Sequence, residues 1–332
     1  MRAVKLLVPG QWPHMSTAPR VGTAAWKVAR LAWRDAATTS ARAVISSRVS
    51  ALPHDDEVTQ LEAGAHDVPT SRDLRFHQPW PPRETVSPLY TSTKRHIIDD
   101  AWPAEQCVVL ASTAASALAP LRDATGEASV SALGDAARDV LGDVAHVAMR
   151  RALREMRRAA EREFFRTAKQ HTKEGCAPRL YPVGGLLTHI VPETNRSRAF
   201  PFGFGVKRET KAHHGYWSAH VDKANVPEYD VSAVLYLSNG TGRNENQDTT
   251  DFTGGELTFL DPPDPRRNVK KARTRVSAVV PKPGRLLLFA SGEENVHAVR
   301  AVRSGKRATL NLWLTADPNV GKDPALYDSE LE

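Results

Sequence analysis

Two cysteines, Cys107 and Cys176, are all that the 332 residues hold. They form no C-x-x-C, which excludes a zinc ribbon, a disulfide-dense scaffold and a thioredoxin-like dithiol. One disulfide between them stays open; two buried, reduced thiols is the simpler expectation. No stretch approaches the ~18–20 consecutive apolar residues that a membrane-crossing helix needs, so none is expected. Acid is nearly missing from the first 54 positions, where Asp35 stands against eight Lys or Arg. An acid-poor, Arg- and Ser-rich start fits an organellar transit peptide or a basic tail. Residues 1–60 are therefore expected to be a disordered or targeting segment, with an organellar or cytoplasmic location for the protein. Three nucleotide and hydrolase signatures are also missing. Gly203-Phe-Gly205 has no third glycine, Ser304-Gly-Lys-Arg307 is not a P-loop, and there is no G-x-S-x-G.

What is present is an ordinary globular composition, 41% hydrophobic and 25% charged, with a net charge of +7. That charge permits an anionic partner without identifying one. Residues 61–93 are polar and rich in proline (Pro79, Pro81, Pro82, Pro88) and read as a linker. After a short apolar strand, Pro103-Ala-Glu105 starts a helix, with proline and acid in its first turn. Residues 129–171 read as helical, with Val140, Leu141, Val144, Val147, Ala148, Ala152 and Met156 on one buried stripe and breaks near Gly134 and Gly142. From Pro178 the texture turns to short strands: 185–191, 216–222, 231–238, 255–260, 285–290 and 307–314. Two long loops interrupt them, 239–252 and the basic 262–275. Helices followed by many short strands suggest an α+β fold, a jelly roll (double-stranded β-helix) backed by N-terminal helices.

The chemistry-bearing residues lie in that second part. His220-Val-Asp222 on a strand would project imidazole and carboxylate to one face. That is two-thirds of a 2-His-1-carboxylate triad, which suits non-haem Fe(II) with open coordination positions. Alone the pattern is weak, since 12 histidines give such a pair by chance, as at His54-Asp-Asp56. His297, after the turn Ser291-Gly-Glu-Glu-Asn295, supplies a third ligand. Arg307 then offers a planar fork for a carboxylate, with Thr309 two residues on. Alternation puts Arg307, Thr309, Asn311 and Trp313 on one face of the last strand and Ala308, Leu310, Leu312 and Leu314 on the other. Lys306, the rival cation, falls on the apolar face. By the same parity Tyr216, Ser218 and Tyr236 stand near the site, either as supports or as plain core.

These residues, together with Ile97-Ile-Asp-Asp-Ala-Trp-Pro103, Phe252-Thr-Gly-Gly-Glu-Leu-Thr-Phe259 and Pro283-Gly-Arg-Leu-Leu-Leu-Phe289, resemble the prolyl-4-hydroxylase-like branch of the 2-oxoglutarate/Fe(II) oxygenase superfamily. Within it, Tyr216 to Lys223, Leu235 to Ser238 and Ser291 to His297 are similar to the third type of the 2-oxoglutarate and iron-dependent oxygenase domain-containing proteins. The chain departs from the collagen-type enzymes at Arg307, where those carry Lys, and at Ala301, where those carry Pro. The resemblance implies a dioxygenase domain over 94–318 with a tail over 319–332. It implies Fe(II) on His220, Asp222 and His297, and 2-oxoglutarate held by Arg307 and Thr309 with Tyr216 and Tyr236 nearby. Oxygen is the other co-substrate, and ascorbate is left open as a further requirement. The implied reaction is hydroxylation of a protein or peptide side chain with release of succinate and CO2; the endoplasmic reticulum joins the candidate locations. Two rivals stand beside this reading. One is an inactive jelly-roll binding protein. The other is a nucleic-acid demethylase of the same superfamily, which the Trp313 position disfavours because those enzymes resemble each other in an arginine there.

Overall fold

The computed structural model describes residues 58–67, 94–123, 126–165, 179–192, 219–240, 251–261 and 274–327. The basic start up to residue 57, the proline-rich stretch 68–93, Cys176, Tyr216, Ser218, and residues 241–250 and 262–273 lie outside them. The strands are β1 (Val58–Leu61), β2 (Gly64–Asp67), β3 (Lys94–Ile98), β4 (Glu127–Ser131), β5 (Tyr181–Ile190), β6 (Val231–Tyr236), β7 (Phe252–Gly254), β8 (Leu257–Asp261), β9 (Arg275–Val279), β10 (Leu286–Ala290), β11 (His297–Val299), β12 (Val302–Gly305) and β13 (Arg307–Thr315). Four helices accompany them: α1 (Ala104–Ala117), α2 (Ala136–Leu141), α3 (Asp143–Phe165) and the single turn α4 (Asp222–Asn225).

Seven strands form one sheet in the order β2-β3-β10-β6-β13-β5-β4, and four form a second in the order β1-β9-β8-β11. The period-2 alternation of β13 explains why the larger sheet has two dissimilar faces. Ala308, Leu310, Leu312 and Leu314 join Ala233, Leu235, Leu286 and Leu288 in the core beneath α1 and α3. Leu310 and Leu312 are fully buried there, so truncating either to Ala would cost about 2–5 kcal/mol. The opposite face meets the smaller sheet through Val234, Tyr236, Leu287 and Phe289 against Leu257, Phe259 and Val279. This is the jelly roll backed by helices that the sequence suggests, and it leaves the polar row of β13 between the sheets.

Several expectations change in detail. The end of the segment read as disordered or targeting contributes β1, parallel to β9 in one sheet, and the stretch read as linker contributes β2, antiparallel to β3 in the other. The folded unit thus begins ahead of residue 94 and ties both sheets together at its start. At the other end, residues 319–327 are no free tail: Asp323 pairs with Arg150 of α3 and Leu326 is buried. Residues 129–131 belong to β4 rather than to a helix. Gly142, at φ 79°, ends α2 and resets the helical phase. The stripe therefore does not run through it: α3 buries Met149, Leu153, Met156 and Phe164, while Val144 and Val147 are exposed. Cys107 is a buried thiol on α1, and burial pushes its pKa up to about 11.

Candidate active site

His220 and His297 face each other as an isolated antiparallel pair. Each backbone N–H donates to the other's carbonyl, at 2.8 and 3.0 Å. In such a pair both side chains leave on the same face, and the imidazole centroids stand 4.3 Å apart. Val221 is extended, so Asp222 returns to that face two residues after His220. The strand expected over 216–222 does not continue, because Asp222 opens the turn α4. The three ligand atoms lie within 4.8 Å of one another. Asp222 Oδ1 is 3.5 Å from His220 Nε2 and 3.8 Å from His297 Nε2.

His297 and Asp222 are each oriented by neighbours. His297 Nδ1 lies 2.9 Å from the Asn295 carbonyl, which as acceptor fixes the proton on Nδ1 and leaves Nε2 with a free lone pair. Asp222 Oδ2 accepts from Ser232 Oγ at 2.6 Å and from Trp313 Nε1 at 3.1 Å. Burial alone would raise the Asp222 carboxyl, but His297, His220 and the Ser232 hydroxyl outweigh it and hold the group below the usual carboxylate range. Burial, with the charge of His220, lowers His297 to about 4. Two imidazole nitrogens and one ionised carboxylate are the donor set of an Fe(II) oxygenase site.

Beyond the trio, β13 delivers Arg307 and Thr309 into the same cleft, with Asn311 and Trp313. Arg307 Nε donates to the Gly255 carbonyl at 2.8 Å, and Nη1 lies 3.4 Å from Thr309 Oγ1. Gly255 has φ 73°, and a Cβ there would come 2.9 Å from Arg307 Cδ. A side chain at that position would push the guanidinium away, which is what the Gly-Gly pair avoids. Lys306 stands just ahead of β13, which begins at Arg307, and is exposed. Tyr236 is the cross-strand neighbour of Thr309. It is fully buried, its hydroxyl makes no hydrogen bond among the described residues, and burial pushes it up to about 12. Tyr216 lies outside the described residues.

The trio and the β13 row are thus brought together as the motifs suggest. Sequence reasoning missed the supports: Ser232, Ser291 (whose Oγ is 2.7 Å from that of Ser232) and Asn295. Only Trp313 carried a signal, since strand alternation places it on the Arg307 face.

Residues 206–315 match the 2OG-Fe(II) oxygenase superfamily. The chain is 35% identical over 115 residues to the human 2-oxoglutarate and iron-dependent oxygenase domain-containing protein 3, which covers 34% of this chain and 30% of that protein. It is 38% identical over 89 residues to human prolyl 3-hydroxylase 2, or 27% of this chain and 10% of that protein. The similarity therefore spans less than a third of either relative's length. Among solved structures, a Pseudomonas putida prolyl-4-hydroxylase aligns over 67% of this chain and 91% of its own, at 17% identity and a TM-score of 0.38. The segment that matches the 2OG-Fe(II) oxygenase superfamily, residues 206–315, is also the one that supplies His220, Asp222 and His297.

Proposed function

We propose that this protein is an Fe(II)- and 2-oxoglutarate-dependent dioxygenase that hydroxylates a side chain of a protein or peptide, releasing succinate and CO2. The observation that carries the reading is the convergence of His220, Asp222 and His297 within 4.8 Å, in one cleft with Arg307 and Thr309. The residues fit both groups. The trio offers two nitrogens and one carboxylate oxygen on one side of a metal, leaving positions open. Tyr236 offers a buried hydroxyl with no hydrogen-bond partner among the described residues, beside the Arg307 guanidinium, which lies 5.8 Å from the Tyr236 ring. An unpaired buried hydroxyl costs stability; a bound carboxylate would relieve that cost.

In this reading His220, Asp222 and His297 hold the iron through the two Nε2 atoms and Oδ1. Bound iron with 2-oxoglutarate and oxygen supplies the oxidising power of the reaction. Arg307 and Thr309 bind the distal carboxylate of 2-oxoglutarate, with Tyr236 donating to it. Phe289 and Leu257 line the cleft and keep water from the metal side. His297 is almost wholly covered while His220 is partly exposed, so substrate approaches from the His220 side. A protein or peptide substrate is supported by the likeness to prolyl 3-hydroxylase 2 and by the six Lys or Arg between positions 262 and 275 of the sequence, which would favour acidic flanking residues.

The test is 2-oxoglutarate decarboxylation with and without Fe(II), for the wild type and His297→Ala. Iron-dependent succinate formation abolished by the substitution is expected. A wild type that makes no succinate under any iron supply would leave the inactive jelly-roll binding protein as the better reading. Mass spectrometry of candidate peptides for a gain of one oxygen then addresses the substrate.

A further inference from the structure

We infer that Arg95, far from the triad in sequence, is a positioning residue for His297. The inference rests on the iron-site reading above. Arg95 stands on β3 two residues before Ile97, so it shares with Ile97 the face turned toward the smaller sheet. It is 2% exposed, and an arginine in such an apolar layer needs every donor matched. Nη2 and Nη1 donate to the two carboxylate oxygens of Asp261 at 2.7 and 3.3 Å. Nε donates to Asn295 Oδ1 at 2.8 Å. The guanidinium also lies over the Phe259 ring, 3.7 Å from its centroid.

Asn295 links this charge to the metal site. Its side chain is held at both ends, Oδ1 by Arg95 and Nδ2 by donation to the Ala290 carbonyl at 2.8 Å. Its own backbone carbonyl is the acceptor facing His297 Nδ1. Phe259, beneath Arg95, is the cross-strand partner of His297. One guanidinium therefore restrains both the carbonyl that sets the His297 tautomer and the aromatic ring under its strand. Asp261, anchored in turn by Ser277 Oγ at 2.9 Å, keeps the guanidinium in place. If the pair served only to join β3 to β8, replacing both partners by apolar side chains would be tolerated without consequence at the metal. The contact with Asn295 is what gives the pair a role in metal binding.

The test uses the full-length chain with Co(II) as probe, its binding read from the visible d–d absorption of the metal complex. The double variant Arg95→Met/Asp261→Leu removes the ion pair without stranding a buried charge, and folding is checked by circular dichroism. Outer partners of metal-bound histidines typically govern metal affinity about 10- to 100-fold. A loss of that size with an altered d–d spectrum is expected, and adding Asn295→Ala to the double variant should cost little more, because the residues act in series. If the double variant does not fold, Arg95→Lys, which keeps the charge for Asp261 but loses the Nε donor to Asn295, should still weaken Co(II) binding. Co(II) affinity within about twofold of wild type in the folded variant, or fully additive losses with Asn295→Ala, overturns the proposal. His297→Ala is the control: if it leaves Co(II) binding intact, the iron-site reading itself fails and Arg95 falls with it.

Discussion

Ser232 and Trp313 are partners across the β6–β13 ladder, and both donate to the same oxygen of Asp222. With Oδ2 occupied twice, Oδ1 is the oxygen left turned toward the two imidazoles. The ladder register therefore decides how the carboxylate is presented. Trp313 also stacks on Tyr229, with ring centroids 5.1 Å apart and planes 7° from parallel. Trp313→Phe keeps an aromatic ring on Tyr229 but removes the donor. Iron affinity should fall about tenfold, seen as a rightward shift in the Fe(II) dependence of succinate formation. An unshifted curve would show that the indole N–H is dispensable.

Arg307 should separate co-substrate binding from metal binding. A charge-assisted hydrogen bond contributes about 1.5–3 kcal/mol, so Arg307→Ala should raise the KM for 2-oxoglutarate by roughly 10- to 150-fold. Co(II) affinity should stay near that of wild type. Lys306→Ala, at an exposed position, should leave KM unchanged; a large effect there would mean that the other face of β13 lines the site.

Tyr236→Phe should act in opposite directions on stability and on binding. Without ligand, the buried hydroxyl makes no hydrogen bond among the described residues, so removing it should stabilise the protein by about 1 kcal/mol or leave it unchanged. With ligand, the lost donor should raise the KM for 2-oxoglutarate several-fold. Thermal melts with and without 2-oxoglutarate would show both effects on one sample, and a plainly destabilised Phe variant would point to a partner for the hydroxyl within the protein.

His189 should make folding sensitive to acid. It is buried on β5 beneath the helices. Burial first, then the Arg122 and Lys306 cations, lower it from the ordinary 6.5 to about 4. Between those values the unfolded chain binds a proton that the folded chain refuses, so stability rises with pH across that window and is complete above it. The full loss on going from neutral pH to below about 4 is on the order of 3 kcal/mol. Urea denaturation of His189→Leu should show a smaller difference between pH 7 and pH 5 than wild type; equal differences would mean that His189 takes up its proton in the folded state.

The start of the folded unit gives a further test. The sequence reading makes residues 1–60 a disordered or targeting segment and 61–93 a linker, yet β1 and β2 lie in these stretches and pair with both sheets. A chain beginning at residue 56 should melt close to the full-length protein. One beginning at Val86 uncovers the edges of β3 and β9 and should melt lower and aggregate more readily. Equal melting temperatures would show that these two short strands add nothing.

The parts of this protein that local chemistry controls were legible in the sequence. Strand alternation put Arg307 and Thr309 opposite Leu310 and Leu312, because successive side chains in a strand must take opposite faces. His220-Val-Asp222 was readable because one extended residue suffices to return a carboxylate to the imidazole's side, even though α4 begins at once. The helical stripe was misread where Gly142 breaks the phase, and β1 and β2 were missed because polar four-residue strands carry no periodic signal. Tertiary structure alone decided what surrounds the trio. Nothing near Ser232 in sequence shows that it donates to Asp222, and nothing near Arg95 shows that it meets Asn295, 200 positions away. Local pattern fixes which face a side chain takes. Which residue it meets there depends on strand order and register, and those are set by the packing of two sheets whose strands come from both ends of the folded unit.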